Sequence, residues 1–179
     1  MNRLEILIIT AAAALLGSWS ACVTAADDVK ETQALLQELA KSKLTLLEGV
    51  RQAAKGHGVP ISAKFELEDG KLSLSVYTAE KGLSVPAEKN VLEELSGSPE
   101  AEWKPNVEVF KDVPHVSRSS EQLTLMALGK ASLADVIERA SKAQTGTVFS
   151  ATPMIRNHRP VAEVLIADQG KVKRVFQPL

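Results

Sequence analysis

Residues 43–55 of this chain read KLTLLEGVRQAAK, and residues 130–142 read KASLADVIERASK. The two stretches align without a gap, and many paired positions keep their chemical character. In each stretch a Thr or Ser is followed three residues later by Glu or Asp, which is the form of a helix capping box. Apolar residues then recur at helical spacing, so both stretches predict an amphipathic helix.

Strand patterns follow each helix in the same order. Residues 64–76 alternate polar and apolar side chains around Asp69-Gly70, which predicts an antiparallel hairpin with a two-residue turn. For the second copy we expect a hairpin with its turn within 156–160 and then a last strand, over residues 148–155, 161–167 and 172–176. A helix followed by strands therefore occurs twice, which indicates an internal duplication.

The pattern predicts an α+β fold of two tandem repeats. Each repeat is expected to pack one helix on a three- to four-stranded antiparallel sheet, because this arrangement buries the apolar side of both elements. We place the first repeat at residues 27–112 and the second at residues 113–179.

Three segments lie outside the common pattern. An acidic helix is expected to begin at Asp27, and a weaker helical pattern over 119–128 precedes the second copy. Residues 83–112 occur only in the first repeat, where we expect a helix after Pro86 and a strand over 103–110.

The N-terminus predicts export. An apolar core over residues 6–16 leads to small residues that end at Ala26, so cleavage between Ala26 and Asp27 would remove a signal peptide of residues 1–26. Two alternatives stay open: residues 6–26 lack charge and could remain as an anchor, and Cys22 could carry a lipid. All three place the folded part outside the cytoplasm, as a periplasmic, secreted or lipid-anchored protein.

Composition narrows the function classes. The chain has one Cys, 4% aromatic residues and a formal net charge of −1. Because Cys22 lies in the predicted signal, the mature chain is expected to have neither disulfides nor a Cys-based zinc site or nucleophile. The balanced charge and scarce aromatic residues argue against a nucleic-acid partner.

The candidates for catalysis are weak. None of His57, His115 and His158 has a second His or a Cys at ligand spacing, and no nucleophile elbow or phosphate-binding loop occurs. The carboxylate pairs Glu66/Glu68 and Glu93-Glu94 lie on predicted exposed faces, where general acid–base catalysis is not favoured. We therefore expect no catalytic residue, no metal ligand and no cofactor.

Charge differs between the predicted repeats. Residues 27–112 carry 11 Lys/Arg and 16 Asp/Glu, whereas residues 113–179 carry 9 and 5. The acidic half could dock on the basic half, the basic half could bind an anionic partner or lipid, or the difference could be scatter. The candidate partner-binding residues are Arg156, Arg159, Lys171, Lys173, Arg174 and Phe176. The last strand is the expected free sheet edge, which can invite or deter another strand.

Short motifs in both copies resemble the PepSY domain family. The second copy carries SLADVI at 132–137, EVLI at 163–166 and GKV at 170–172, and the first carries TLLEGV at 45–50 and SVY at 75–77. The resemblance implies small exported or membrane-tethered modules, without catalytic residues, that are thought to bind or restrain peptidases. Gly49 departs from the usual Ala, and the chain ends without the Asp and Thr-Gly that often close the pattern.

These observations together predict a non-catalytic binding module of the bacterial cell envelope. It would recognise or restrain an extracytoplasmic protein, such as a peptidase, through a sheet edge or a groove between the repeats. The alternatives are a structural or sensory envelope protein that contacts lipid or peptidoglycan, and a hydrolase with an unrecognised site.

Overall fold

The protein combines helices and strands in one α+β unit. The structure is a computed structural model, and it describes residues 25–179. Within that range the helices are α1 (Ala25–Glu38), α2 (Leu46–Ala53), α3 (Val113–Leu128) and α4 (Leu133–Ala143). The strands are β1 (Val59–Glu68), β2 (Lys71–Ala79), β3 (Leu92–Gly97), β4 (Asn106–Val109), β5 (Thr147–Arg156), β6 (Arg159–Asp168) and β7 (Lys171–Pro178). The predicted α+β class is confirmed.

All seven strands belong to one antiparallel sheet, in the order β4-β3-β2-β1-β5-β6-β7. The prediction of a three- to four-stranded sheet for each half is wrong, because β1 and β5 pair directly and join the halves. Ala63 pairs with Ala151, and Lys64 pairs with Ser150. This junction covers what would otherwise be one unpaired strand edge in each half.

Tight two-residue turns close the three long hairpins. The turns are Asp69-Gly70, Asn157-His158 and Gln169-Gly170, and all six residues have positive φ. Two successive positive φ values are typical of type I′ turns, whose twist matches that of the flanking strands. The Asp69-Gly70 prediction is confirmed, and the second turn lies within the predicted range of 156–160.

Both predicted capping boxes are present. In α2 the Glu48 amide donates to Thr45 Oγ1 at 3.2 Å, and the Thr45 amide donates to Glu48 Oε2 at 2.6 Å. In α4 the Asp135 amide donates to Ser132 Oγ and the Ser132 amide to Asp135 Oδ2, both at 3.1 Å. The shorter Asp side chain therefore completes the box as Glu does.

One face of the sheet packs against α2 and α4. The backbone of α2 approaches β2 so closely at Gly49 that a Cβ there would lie 2.3 Å from Leu74 Cδ2. Gly49 departs from the Ala that is usual at this position of the PepSY pattern, and its absent side chain is what allows this contact. The core between the helices and this face includes Leu46, Val50, Phe65, Val76, Leu133, Ile137, Val164 and Ile166.

Helix α3 crosses the opposite face of the sheet. Side chains alternate along β1, so Ser62 and Lys64 point away from the face that packs on α2. These two residues share a cavity with Arg118 and Gln122 of α3. Helix α1 lies near the β1–β2 turn, and its Gln33 Nε2 donates to the Gly170 carbonyl at 3.3 Å. The helices that were predicted from Asp27 and over residues 119–128 are both present, as α1 and α3.

The segment after β2 differs from its prediction. Instead of a helix after Pro86 there is a short 3-10 turn at Ala87–Lys89, followed by β3. Leu92 and Leu95 are both buried although they point to opposite faces of a strand. Their spacing of three residues is also that of an apolar helix face, which is why the sequence predicted a helix. The predicted strand over 103–110 is reduced to β4, and Trp103 lies before it, buried.

The two halves share an order of elements. Two helices and three strands occur as α1-α2-β1-β2-β3 and again as α3-α4-β5-β6-β7. The register shifts between Pro60 and Ser62 on β1, and between Val148 and Ser150 on β5. Each irregularity thus lies just before the alanine through which the halves pair.

The predicted signal peptide lies mostly outside the described residues. Its apolar core and Cys22 precede residue 25, while Ala26 and Asp27 fall at the start of α1. Signal cleavage and lipidation therefore stay predictions. Within residues 25–179, none of the helices combines the length and the apolar character needed to cross a bilayer.

Candidate functional site

The predicted partner-binding residues divide between the two faces of the sheet. The register pairs Arg156 with Arg159, Arg174 with Leu165, and Phe176 with Glu163. Because paired side chains share a face, these residues lie on the face that α3 crosses. Lys171 and Lys173 alternate with them along β7 and lie on the other face. The sequence therefore predicted the last strand correctly, but it did not predict that the candidate residues lie on two different faces of the sheet.

An arginine–aromatic contact holds part of this group in place. The guanidinium carbon of Arg156 lies 3.6 Å from the centroid of the Phe176 ring, which is the geometry of a cation–π interaction. The stacked guanidinium keeps its N–H groups available at its edge. An open concavity of about 450 Å³ adjoins it, lined by Arg156, Asn157, Arg159 and Val161.

Some of the basic groups already have partners. Arg174 Nε lies 2.9 Å from Glu163 Oε1, and Lys173 pairs with Asp168. Hydrogen bonds from Lys173 and then from Thr145 hold the pKa of Asp168 below its ordinary value.

Three other basic groups of the second half remain available, Arg156 and Arg159 at the β5–β6 turn and Lys171 at the start of β7. Among the described residues, Arg156, Arg159 and Lys171 form no ion pair with a carboxylate. Their positive charges are therefore free for an anionic partner.

The sheet ends in two unlike edges. At one end β4 spans four residues and exposes Val107 and Val109. At the other end β7 spans eight residues and, among residues 25–179, pairs only with β6, so within this range the predicted free edge is confirmed. An unpaired edge presents a row of backbone N–H and C=O groups that another strand can use.

A shallow groove separates α2 and α4. It has a volume of about 300 Å³, and its mostly apolar lining consists of Val50, Arg51, Ala54, Gly58, Val59, Pro60, Ser132, Leu133 and Ala134. Arg51 Nη2 bridges it to Glu138 Oε2 at 3.0 Å. In this pair the cation comes from the acidic half and the anion from the basic half, so it does not follow the difference in net charge.

A polar cavity beneath α3 was missed by sequence analysis. It measures about 130 Å³ and is lined by Ser62, Lys64, Tyr77, Arg118, Gln122 and Thr152. The alternating pattern of β1 predicted an outer face exposed to solvent, and α3 covers it instead. The polar residues of α3 that point inward, Ser119 and Gln122, are the signal that could have revealed this cover.

Electrostatics in this cavity are set by burial and by two glutamates. Lys64 pairs with Glu66, which also accepts a hydrogen bond from Ser75 Oγ at 2.7 Å. Burial, with the nearby Glu94 and Glu66 carboxylates, strongly raises the pKa of Tyr77. The Tyr77 hydroxyl therefore keeps its proton and can act as a hydrogen-bond donor.

The carboxylates that were predicted on exposed faces differ from one another. Glu68 is exposed, but Glu66, Glu93 and Glu94 are half-buried because elements cover both faces of this part of the sheet. Glu93 Oε2 lies 3.5 Å from His57 Nδ1. The expectation that all four are solvated is therefore wrong.

The remaining histidines do not assemble a metal site. His115 Nδ1 lies 2.7 Å from Asp112 Oδ2 at the start of α3, and this hydrogen bond lowers the pKa of Asp112. His158 occupies the β5–β6 turn. Across the described residues, no three His, Cys, Asp or Glu side chains group closely enough to hold a metal ion.

Comparisons with known proteins do not assign the chain to a family. No protein-family model matches it, no curated protein matches its sequence, and no solved structure matches its fold. The resemblance to PepSY domains therefore rests on the short motifs of residues 45–50, 75–77, 132–137, 163–166 and 170–172.

Proposed function

We propose that this protein is an exported, non-catalytic binding module of the bacterial cell envelope. It recognises an acidic, extended segment of another extracytoplasmic protein, which adds to the sheet along β7. A peptidase is the partner that the resemblance to PepSY domains favours. The observation that carries the proposal is the long, basic edge of β7, whose outer side pairs with no strand in the part of the chain that the structure describes.

The first half offers a precedent for such an added strand. There β3, the third strand of the first half, is covered by β4, which pairs antiparallel through four residue pairs from Glu93↔Val109 to Ser96↔Asn106. Strand β7 has the corresponding place in the second half, and in the described chain nothing occupies its outer side. A partner strand on β7 would complete the arrangement that β4 completes in the first half.

Charge favours an acidic partner. Lys171 begins the edge strand itself, and at its other end Arg156 contacts Phe176 of β7 while Arg159 begins the neighbouring strand β6; none of the three pairs with a carboxylate among the described residues. The covering strand of the first half itself reads Val107-Glu108-Val109, an alternation of apolar and acidic residues. An acidic strand would gain association rate and specificity from these free charges.

The proposal includes an internal duplication into two PepSY-like repeats, residues 27–112 and 113–179. Equal element order supports it, and so does the sheet junction. After a one-residue adjustment beyond the helices, Ser62-Ala63 aligns with Ser150-Ala151, and Ala63 also pairs with Ala151 in the sheet. A two-fold relation between halves requires such a self-paired position.

A charge-reversal experiment tests the binding surface. The probe is a peptide of alternating valine and glutamate, and its control is the valine–lysine peptide. Changing Arg156, Arg159 and Lys171 to Glu together should weaken binding of the acidic probe at least about tenfold, because attraction becomes repulsion. The matched control changes Lys43, Lys55 and Lys111, which are exposed in the other half, and should bind as the wild type does.

The same variants then test the biological role. Crosslinking in intact envelopes should join the wild type and the control triple to the same protein, and the Arg156/Arg159/Lys171 triple should lose that product. Equal crosslinking by both triples, or equal binding of the acidic and basic probes, would contradict the proposal.

Contact with an anionic lipid surface is the second candidate. Ile155 is 50% exposed and precedes Arg156 at the β5–β6 turn, so one exposed apolar side chain and two basic ones lie at this end of the hairpin, on opposite faces of the sheet. Sedimentation with phosphatidylglycerol vesicles, compared with phosphatidylcholine vesicles at rising salt, tests it. Binding to the anionic vesicles alone that weakens with salt favours this candidate, and no binding at low salt rejects it.

A further inference from the structure

The cavity beneath α3 contains a buried acceptor without a donor. Gln122 is 6% exposed, and among the described residues no group donates a hydrogen bond to its Oε1. A buried polar atom without a partner costs about 1–3 kcal/mol, so native structures rarely leave one unless water or a ligand supplies it. This amide lines the cavity and points to a ligand with a hydrogen-bond donor.

The mouth of the cavity carries a free cation. Arg118 lines it and, in the described chain, pairs with no carboxylate, whereas Lys64 is neutralised by Glu66. A guanidinium group binds a carboxylate through two parallel hydrogen bonds. The hydroxyls of Ser62 and Thr152 complete the lining with further donors, whereas the Tyr77 hydroxyl hydrogen-bonds to Glu94.

Volume limits the size of the ligand. A cavity of about 130 Å³ corresponds to about four water molecules, or to a ligand of about four to six non-hydrogen atoms. We propose that it binds a small hydroxycarboxylate of the size of glycolate or lactate. The carboxylate meets Arg118, and the hydroxyl donates to Gln122 Oε1.

The charge of the group that donates to Gln122 distinguishes hydroxycarboxylates from amino acids of equal size. An amino acid would satisfy Gln122 through an ammonium group, but that would add a second positive charge close to Arg118, the cation of the cavity that has no carboxylate partner among the described residues. A neutral hydroxyl supplies the same donor without this repulsion. The site is independent of the β7 edge and of any partner bound there.

Three ligands of similar shape test the proposal on the chain from residue 27 by NMR titration. Glycolate carries both groups, acetate lacks the hydroxyl, and glycine replaces the hydroxyl with an ammonium. Glycolate should shift the amide resonances around Gln122 and Thr152 and bind about tenfold more tightly than acetate, since one hydrogen bond to a buried acceptor separates them. Glycine should bind no more tightly than acetate.

Two variants assign the contacts. Arg118 is exposed, so the Arg118→Gln variant should fold normally. It should lose most of its binding of both glycolate and acetate. Gln122→Leu should remove only the preference for glycolate over acetate. Arg51→Gln, on the opposite face of the sheet, is the matched control and should leave both affinities unchanged.

Equal affinities for glycolate and acetate, or an effect of Arg51→Gln equal to that of Arg118→Gln, would overturn the proposal. A cavity that holds only water would show no resonance shift around Gln122 with any of the three ligands, and would overturn it as well.

Discussion

The two halves of the chain place a large and a small core residue in opposite order between helix and sheet. In the first half, Gly49 of α2 lies against Leu74 of β2. At the aligned positions of the second half, Val136 of α4 and Ala162 of β6 are both fully buried. A small helix residue with a large strand residue in one half thus corresponds to the reverse in the other. The side-chain size that a core position tolerates therefore depends on the size of the residue that it faces.

The halves also differ at their outer strands. The third strand of the first half is covered by β4, whereas the third strand of the second half forms the edge of the sheet. The first half is acidic and the second is basic. Within the described residues, the chain therefore covers one of these third strands with β4 and leaves the outer side of the other, β7, without a neighbouring strand.

Removing the large member of the first pair should have the largest effect. Leu74→Ala leaves a cavity in the core opposite Gly49, where no side chain can fill it, and should lower the free energy of unfolding by about 2–5 kcal/mol. Urea unfolding measures this loss. Ile155→Ala, at an exposed position of β5, is the control and should change stability by no more than about 0.5 kcal/mol.

Placing the residue types of Val136 and Ala162 at positions 49 and 74 tests whether the two arrangements are exchangeable. Gly49→Val alone should cost about 1–3 kcal/mol, because its side chain would overlap Leu74. The double variant Gly49→Val/Leu74→Ala reproduces the pair of the second half and should be more stable than the sum of the single changes predicts. A double-mutant cycle measures the coupling, and strict additivity would show that the two positions are not exchangeable.

Removing the helix caps should affect both halves equally. Thr45→Ala and Ser132→Ala each remove the acceptor for an amide at a helix start, so each should cost about 1 kcal/mol in unfolding experiments. Ser84→Ala, in an exposed turn where the hydroxyl forms no hydrogen bond among the described residues, serves as the control. A cost confined to one of the two caps would mean that the halves depend on their helices unequally.

The carboxylates of the two caps predict a small pH dependence. Hydrogen bonds from Thr45 lower the pKa of Glu48 below 4.5, and those from Ser132 lower the pKa of Asp135 below 3.8. Because the folded pKa values are the lower ones, this stabilisation is present above the unfolded values and is lost as pH falls through the folded values.

Thermal unfolding from neutral to acidic pH measures this loss. Glu48→Gln/Asp135→Asn should flatten the acid limb of the curve, whereas Glu68→Gln, at an exposed position of β1, should not. An unchanged acid limb in the double variant would show that the caps do not carry the dependence.

Local chemistry was sufficient to predict the caps, the Asp69-Gly70 turn and the last strand, because each depends on residues that are close in sequence. It failed at Leu92 and Leu95, whose spacing reflects burial on two faces of one strand. It also failed at the α3 cavity, because contact between α3 and β1 depends on how distant segments pack. The six predicted binding residues share a region, but only the register shows which of them share a face.

Hydrogen exchange at the two sheet edges tests the proposed binding mode most directly. The amides of β7 and of β4 would be followed with and without the valine–glutamate peptide. If the peptide adds to the basic edge, exchange should slow on β7 and remain unchanged on β4, because only β7 gains new hydrogen bonds. Slower exchange on β4 alone, or no change on β7 at a saturating peptide concentration, would contradict the account.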